Sequence, residues 1–303
     1  MKNFKELSHS VVASSLRKRL VVTSAADEAT RTAVARALEE LPVEAIFVGS
    51  RAEVEADTRL RPWLDGADRR ACALDADSLQ EAAARSVALI RSGSGDILVK
   101  GLINTDILLR AILDRDTGIL PPGRLLTHIA VAEIPACERL LYYTDAAVIP
   151  FPTHEQRRQQ VAYIAEVARR CGVEEPRIAL IHCTEKVDVR HFPVTEGYPA
   201  LKAEGAEGAF GRCRVDGPLD LKTSCSPEAL AAKGLHSCLE GRADALVFPD
   251  IESANLFHKT VTLFCDATVA SMLVGTDVPV VLTSRGDSAQ SKFASILIAC
   301  KAR

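Results

Sequence analysis

The sequence predicts an α/β protein, because short apolar runs alternate with stretches that have the pattern of half-buried helices. The runs are rich in Val, Ile and Leu, as buried strands are, and the stretches between them repeat their apolar residues with the period of a helix. The same alternation returns near the C-terminus. Strands that alternate with helices form βαβ units, in which helices cover a parallel sheet.

The first third of the chain contains three such strand and helix pairs. The predicted strands begin at Leu20, Val43 and Asp96. The predicted helices cover Asp27–Glu40, Ser78–Ile90 and Thr105–Leu113.

The middle of the chain departs from this order. The stretches RLLTHIAVAEIP, RLLYYTD and AAVIPFP follow one another closely and predict neighbouring, partly antiparallel strands with edges near the prolines. A helix with Thr153 as its N-cap is expected to continue to about Cys171, and a strand is expected from Arg177. Residues 184–226, rich in Gly and Pro, are expected to wrap a cleft.

Near the C-terminus, Asp244–Asp250 predicts a strand, and a long helix is expected from Ser253 to about Met272. A further strand begins at Val278, and the last helix follows it. Asp287 stands three residues before Gln290, the spacing of a capping box. The apolar face of the last helix is formed by Phe293, Ile296, Leu297 and Cys300.

Composition and charge exclude several classes of protein. The chain has 303 residues, of which 48% are hydrophobic and 25% charged, and its net charge is −3. This charge provides no basic field for nucleic acid or anionic lipid. No apolar run reaches the roughly 20 residues of a membrane span, and the N-terminus MKNFKELSHS lacks the apolar core of a signal peptide. We therefore expect a cytoplasmic protein without nucleic-acid or membrane partners.

The nine cysteines are scattered and never form C-x-x-C, so neither a disulfide framework nor a zinc site is predicted. Most of them are expected to be small core residues. Lys100-Gly101 could form a phosphate turn, yet the chain lacks the GxxxxGK[ST] and GxGxxG patterns, which counts against ATP-loop enzymes and dinucleotide-binding dehydrogenases. No metal ligands and no permanently bound cofactor are predicted.

Candidate ligand-binding residues follow the predicted strands, since ligands of parallel α/β sheets bind at the carboxyl ends of strands. Ser284 and Arg285 lie between a strand end and a helix start, where free N–H groups and a guanidinium suit an anion. The alternative is a surface arginine in a connecting loop. Asn255 and Lys259 share one side of a helix after Asp250, where they suit a phosphate or a carboxylate, or form a solvated face.

Five segments in order resemble the phosphate acetyl/butyryltransferases, and more closely the butyryl-type members. They run from about residue 96 to the C-terminus and read LVKGLINTDILLRAIL, LLYYTDAAVIPFPT, VDGPLDLKTS, GRADALVFPDIESANLFHKTVTLF and VVLTSRGDSAQSKFASILIA.

The resemblance implies reversible transfer of a short-chain acyl group, acetyl or butyryl, between CoA and inorganic phosphate. It implies direct thiolate attack in a ternary complex, with CoA as a substrate and no other cofactor. The implied fold has two three-layer α/β domains with a cleft between them, similar to isocitrate and isopropylmalate dehydrogenases. Domain I is expected to cover residues 1–135 with 283–303, and domain II residues 136–282. A homodimer or larger homo-oligomer and a metabolic pairing with an acyl kinase are also implied.

The resemblance also implies roles for individual residues. Ser284 and Arg285 match the Ser-Arg pair of the family beside the reacting groups, and Asp287 is a substitute candidate for the base of the CoA thiol. The implied substrate-binding residues are Asn104, Thr105, Asp216, Gly217, Pro218, Asp250, Asn255 and Lys259.

Three positions depart from the family pattern. Many acetyl-type members carry an aspartate as thiol base seven residues after the serine, where this chain has Ser291. Ala254 replaces a glycine in the long helix, and Asn104 replaces a histidine, as is consistent with the butyryl type. These departures leave the thiol's base and the acyl specificity open.

Two alternatives compete with the acyltransferase hypothesis. One is a metal- and NAD-dependent decarboxylating dehydrogenase of the related fold, which would need clustered aspartates for Mg²⁺. The other is a non-catalytic descendant that binds CoA or acyl phosphate, for which Asn104 and Ser291 are changes of the expected kind.

Overall fold

Each of the two units of the fold is assembled from segments that are distant in sequence. A computed structural model of the chain describes residues 1–14 and 16–302. The first unit comprises Phe4–Leu126 and the chain from Thr268 onward, and the second comprises Met1–Asn3 and Thr127–Ala267.

Strands and helices alternate along most of the described chain. The strands are β1 (Lys18–Thr23), β2 (Val43–Gly49), β3 (Ala71–Asp75), β4 (Ile97–Lys100), β5 (Thr127–Glu133), β6 (Leu141–Thr144), β7 (Arg177–Ile181), β8 (Arg214–Leu219), β9 (Ala245–Val247), β10 (Thr268–Val274) and β11 (Val280–Val281). The helices are α1 (Phe4–Ala13), α2 (Glu28–Glu40), α3 (Arg51–Ala56), α4 (Arg61–Leu64), α5 (Leu79–Arg91), α6 (Thr105–Leu113), α7 (His154–Arg170), α8 (Tyr198–Ala206), α9 (Leu221–Cys225), α10 (Pro227–Ala232), α11 (Ile251–Phe264) and α12 (Ala289–Ala302), with a 3-10 helix at Pro193–Gly197.

In the first unit the strand order is β3-β2-β1-β4-β11-β10. The first five strands are parallel to their neighbours, and β10 is antiparallel to β11. Thr23 at the end of β1 is level with Lys100 at the end of β4. The carboxyl ends of these strands therefore meet at one edge of the sheet, where ligands of α/β proteins bind.

In the second unit the strand order is β5-β6-β9-β7-β8. β5 runs antiparallel to β6, and the other neighbours are parallel. The predicted α/β class is thus confirmed as a mixed-sheet fold. The N-cap predicted at Thr153 is also confirmed, and it is part of a capping box: its hydroxyl accepts from Gln156 N while the Gln156 side chain accepts from Thr153 N.

The strand predicted over AAVIPFP was wrong. No strand is assigned between β6 and α7. The buried Asp145 carboxylate accepts hydrogen bonds from Ala147 N and Val148 N, both at 2.9 Å. Those N–H groups are consequently used in a tight turn instead of in a sheet.

The helix predicted from Ser253 to Met272 was too long. α11 ends at Phe264, and the following residues form β10 after Asp266 adopts a φ of 51°. The β-branched residues Thr268 and Val269 favour a strand, and the central residues of β10 are fully enclosed. Tertiary burial of this segment therefore overrode its helical pattern.

The capping box predicted for the last helix was also wrong. α12 begins at Ala289, and Ser291 N donates to the hydroxyl of Ser288 at 3.1 Å. The carboxylate of Asp287 instead accepts from Ser284 N, and Gln290 bonds to Arg36. The predicted apolar face is buried, and residues 292–300 are buried on all sides of the helix.

Some elements were not predicted at all. They include α1, whose Phe4, Leu7 and Val11 are buried, and the edge strand β3. The stretch 184–226, for which no individual helix or strand was predicted, contains α8, β8 and α9. The expectation that most cysteines lie in the core was wrong: only Cys171 and Cys300 are buried, while Cys72, Cys137, Cys183, Cys238 and Cys265 are exposed. A small weakly polar side chain is tolerated in either setting.

Candidate functional site

Lys100, the last residue of β4, lies at the edge of the first unit's sheet where the carboxyl ends of the strands meet. Gly101 N donates to Thr23 O at 2.9 Å, and Leu102 N donates to Ser24 O at 2.7 Å. A Cβ on Gly101 would lie 2.2 Å from Ser24 O, so only glycine allows this approach of the two strand ends. The position of Lys100 thus depends on its glycine neighbour.

Arg285 contacts the start of α6. Its guanidinium donates a hydrogen bond to the side-chain carbonyl of Asn104. Asn104 is the residue before Thr105, the first residue of α6, yet its side chain makes no capping bond. Because the amide oxygen accepts from Arg285 instead, two exposed polar groups 181 positions apart in sequence are joined.

Two hydrogen bonds close the loop that carries Ser284 and Arg285. Ser284 N donates to Asp287 Oδ2 at 2.7 Å, and Asp287 N donates to Ser284 O at 3.2 Å. Ser284 and Arg285 remain exposed, whereas Asp287 is half-buried. The loop therefore holds its backbone fixed while it presents a hydroxyl and a guanidinium to solvent.

Two buried lysines lie next to this loop. Lys100 Nζ is 3.4 Å from both Gly101 O and Thr283 O, and Lys292 Nζ is 3.1 Å from Thr283 Oγ1. Lys292 Nζ also lies 3.8 Å from a carboxylate oxygen of Asp27. Burial, followed by repulsion from Lys292 and Arg285, lowers the pKa of Lys100.

In the second unit, Asp216 and Gly217 lie within β8. The buried Asp216 carboxylate is 2.6 Å from Lys202 Nζ and accepts from Gly217 N at 2.9 Å. A Cβ on Gly217 would meet Leu180 O at 2.5 Å, so β8 requires glycine there. Pro218 follows on the same strand. The Asp216 carboxylate thus already has an ionic partner.

Asp250 begins α11 as its N-cap. Its carboxylate accepts from Ser253 N and from the Ser253 hydroxyl, both at 2.8 Å. Asn255 donates from its side chain to Ala146 O at 3.0 Å, and Lys259 is exposed. Asp250 and Asn255 therefore stabilise the start of α11 and its link to the loop after β6.

A cavity of about 500 Å³ opens beside Asp250 in the second unit. Its lining includes the apolar Phe151 and Val194 and the charged Arg157, of which only 3% is exposed. Arg157 donates to Pro249 O at 2.7 Å, and burial lowers the pKa of its guanidinium. The cavity combines an apolar wall with a buried cation.

The predicted site residues thus fall into two groups. The first unit brings together Ser284, Arg285, Asp287 and Asn104, with Thr105 as the next residue on α6. In the second unit Asp250 and Asn255 belong to one helix start, while Asp216, Gly217 and Pro218 lie on a separate strand. The sequence singled out Lys100-Gly101 only as a possible phosphate turn.

Lys292 and Arg157 were missed. Lys292 lies on α12 and Arg157 on α7. Helical spacing alone does not reveal that a cation on a helix is buried. A lysine at a position flanked by buried residues, such as Lys292 before Phe293, is the signal that could have identified the first.

Two other kinds of site are absent from the described residues. No group of three or more His, Cys, Asp or Glu side chains could hold a metal ion in residues 1–14 and 16–302. Within the same part of the chain, every helix is too short or too polar to cross a membrane.

Comparison with known proteins assigns the family. The family model for phosphate acetyl/butaryl transferase matches residues 73–300. This range includes Asn104, Ser284 and Arg285. The chain belongs to this family. The resemblance drawn from the five sequence segments is thereby confirmed.

Individual members of the phosphate acetyl/butaryl transferase family match over most of the chain. A phosphate butyryltransferase of Clostridium beijerinckii is 35% identical over 93% of this chain and 92% of its own length. A phosphate acetyltransferase of Thermotoga maritima is 34% identical over 93% of this chain and 94% of its own.

The fold is also similar to that of a solved family structure. The crystal structure of a branched-chain phosphotransacylase from Enterococcus faecalis V583 superposes with a TM-score of 0.79 at 30% identity. The match covers 94% of this chain and 98% of that one.

Proposed function

We propose that this chain is a phosphate acyltransferase, which catalyses acyl-CoA + phosphate = acyl phosphate + CoA for a short-chain acyl group, acetyl or butyryl. The observation that carries the proposal is the Ser284–Arg285 loop: an exposed hydroxyl and guanidinium are held beside Asn104 at the carboxyl end of a parallel sheet. Membership in the phosphate acetyl/butaryl transferase family supports the same reaction.

The proposed chemistry uses the charges of this loop. In the direction of acyl-CoA synthesis, a thiolate attacks the carbonyl carbon next to a doubly negative phosphate. Arg285 offsets negative charge on the phosphate and on the developing oxyanion, and Ser284 donates a hydrogen bond to that oxygen. Thiolate and acyl phosphate bind together in a ternary complex, so orientation supplies much of the acceleration.

We propose the remaining predicted residues as substrate-binding groups. In the first unit these are Asn104 and Thr105, which follow the same strand end as Lys100. In the second unit they are Asp216, Gly217, Pro218, Asp250, Asn255 and Lys259. Asp287 is a candidate for assisting the thiol, although its carboxylate already accepts from Ser284 N.

The direct test is phosphate-dependent release of free thiol from acetyl-CoA and butyryl-CoA. We expect release that rises with phosphate concentration and saturates, and acyl phosphate as the second product. The similar Enterococcus faecalis protein is a branched-chain phosphotransacylase, so acyl-CoA substrates of two to six carbons are compared. No phosphate-dependent release with any of them would falsify the proposal.

Two further measurements, combined with the thiol assay, separate the alternatives. A nicotinamide-linked decarboxylating dehydrogenase would show Mg²⁺- and NAD-dependent absorbance at the nicotinamide band and no thiol release. A CoA- or acyl-phosphate-binding descendant would bind CoA in calorimetry without turnover.

We propose further that the two units correspond to the α/β domains of an isocitrate/isopropylmalate dehydrogenase-like arrangement. The expected division is 1–135 with 283–303, and 136–282; it stays a prediction. Three layers are expected in each domain, since helices such as α5 and α12 pack on the sheet of the first unit.

Three further properties are proposed from the family. CoA acts as a substrate, and no permanently bound cofactor is required. The acyl phosphate passes to an acyl kinase. Formation of ATP from acyl-CoA, phosphate and ADP in the presence of that kinase tests this pairing. The protein is cytoplasmic and forms a homodimer or larger homo-oligomer, as cell fractionation and the solution mass can test.

A further inference from the structure

The proposed reaction needs a general base that removes the proton from the CoA thiol. Ser291, seven residues after Ser284, donates from its N–H to the hydroxyl of Ser288 at 3.1 Å. A serine hydroxyl does not accept a proton from a thiol near neutral pH. Asp287 accepts from Ser284 N at 2.7 Å and so holds the loop backbone.

Lys100 lies directly behind the loop. Its Nζ is 3.4 Å from Thr283 O, the carbonyl that precedes Ser284 in the chain. The residue is 3% exposed and reaches this position from the last residue of β4. The amine and the Ser284–Arg285 pair are therefore at the same strand end of the first unit.

The ammonium form of Lys100 is poorly stabilised there. Both of its acceptors are backbone carbonyls at 3.4 Å, beyond the usual length of a charge-assisted hydrogen bond. Lys292, by contrast, donates to the Thr283 hydroxyl at 3.1 Å and has a carboxylate oxygen of Asp27 at 3.8 Å. Of the two buried lysines, Lys100 is thus the one whose ammonium group has the weaker polar contacts.

On balance, the charged groups around Lys100 also disfavour its ammonium form. They are Lys292 on α12, Arg285 and Asp287 in the loop before it, and Asp27 ahead of α2. Burial is the largest cause that lowers the pKa of Lys100, and repulsion from the two cations adds to it more than the two carboxylates offset. A lysine in such surroundings is suited to general-base catalysis.

We propose that Lys100, as the neutral amine, is the general base that deprotonates the CoA thiol, directly or through one water. The inference rests on the proposed acyltransferase function. The amine lone pair takes the proton from the S–H bond, and the sulfur pair forms the S–C bond at the acyl carbonyl carbon. The C–O bond to phosphate then breaks, its electron pair leaves with the phosphate, and the phosphate takes the proton back from Lys100.

Replacement of Lys100 by Arg is the sharpest test, because Arg keeps a long basic side chain but cannot lose its proton. We expect Lys100→Arg and Lys100→Met each to lower kcat/KM for CoA with butyryl phosphate by about 10²–10³-fold, the range of general-base catalysis. The residual rate of both variants should rise about tenfold per pH unit, following the free thiolate. The wild-type rate should level off at a lower pH than the rates of the two variants.

Controls distinguish a lost base from a lost fold or a wrong function. Thermal unfolding and CoA binding by calorimetry report folding, and Lys292→Arg makes the same change at the neighbouring buried lysine. Wild-type turnover with butyryl phosphate and CoA tests the proposed function itself, independently of Lys100. If the wild type turns over and a folded Lys100→Arg or Lys100→Met retains more than a third of its kcat/KM, the assignment of Lys100 is wrong.

Discussion

Arg285 shows how a single residue is positioned by a partner far away in sequence. Its guanidinium bonds to the amide oxygen of Asn104, which lies on the loop after a different strand. The bond orients a planar group of five N–H donors, and such a group can bind a phosphate through two parallel hydrogen bonds. The pair therefore supplies a pre-oriented anion contact on an otherwise exposed loop.

We expect Arg285→Ala to lower kcat/KM for acyl-CoA and phosphate by about 10²–10³-fold, since it removes a charged group that stabilises the transition state. Arg285→Lys should recover part of this loss, because it restores the charge without the bidentate geometry. Initial rates of thiol release measure both.

Arg110→Ala is the matched control for the Arg285 variants. Its side chain is 84% exposed, and its nearest carboxylate, on Asp106, is 4.0 Å away. It should remain within about twofold of the wild type, as expected for a solvated surface charge. Near-wild-type kcat/KM in Arg285→Ala would show that the loop is only a connection.

At the residue scale, the sequence predicted Ser284, Arg285 and Asn104 as site residues, and two of them are joined by a hydrogen bond. It did not predict the environment of Lys100. That environment depends on Thr283 and Lys292, which are 183 and 192 positions away. Burial and long-range charge decide whether a lysine is a surface cation or a base, and neither is visible in local spacing.

At the scale of elements, the junction between β1 and β4 supports the site. Gly101 lies where the two strands end, with its N–H bonded to Thr23 O. The backbone of Ser24 occupies the space that a side chain at position 101 would need. A turn of this kind restricts residue 101 to glycine for steric reasons alone.

We expect Gly101→Ala to destabilise the protein by about 1–3 kcal/mol, because the added Cβ would meet backbone atoms that cannot move cheaply. The free energy of unfolding in urea measures this change. Activity should fall as well, since the substitution displaces the adjacent Lys100.

Gly286→Ala is the control for the Gly101 variant. A Cβ at that position meets no heavy atom within 4 Å. Its free energy of unfolding should remain within about 0.5 kcal/mol of the wild type, as is usual for surface changes. Equal stability of the two variants would contradict the steric argument for Gly101.

The helix error and the strand error at this scale have different causes. The segment after Phe264 continues a helical pattern locally, yet it forms the enclosed strand β10. The stretch after Thr144 has strand-forming residues, yet Asp145 captures its N–H groups in a turn. The first error comes from tertiary burial outside the local window, and the second comes from a polar side chain that lies inside it.

At the scale of the whole molecule, an apolar strip on α11 supports the proposed homodimer. Leu256, Leu263 and Phe264 are 69%, 70% and 77% exposed. Their spacing of seven and eight residues brings them toward one side of the helix. Large apolar side chains grouped in this way are typical of an interface, and a second copy of the chain is the occupant that the family implies.

We expect the wild type to elute with about twice the 32.6 kDa mass of one chain, or a larger multiple, in light scattering after size exclusion. The double variant Leu263→Glu and Phe264→Glu should dissociate toward the mass of one chain, because charges would be buried at the interface.

Leu113→Glu, at an exposed leucine at the end of α6, is the matched control and should keep the wild-type mass. A monomeric wild type would refute the homodimer, and an unchanged mass of the double variant would exclude α11 as the interface.

The sequence by itself determined the α/β class, the family and most of the exposed polar residues of the Ser284–Arg285 loop. Period, capping residues and ordered motifs are local properties, so they can be read along the chain. Tertiary structure alone decided which charges are buried and which carboxylates are already engaged, as with Lys100, Arg157 and Asp216. These outcomes depend on desolvation and on partners from distant segments. For this reason Lys100, which the sequence indicated only as part of a possible phosphate turn, is a candidate base in the tertiary structure.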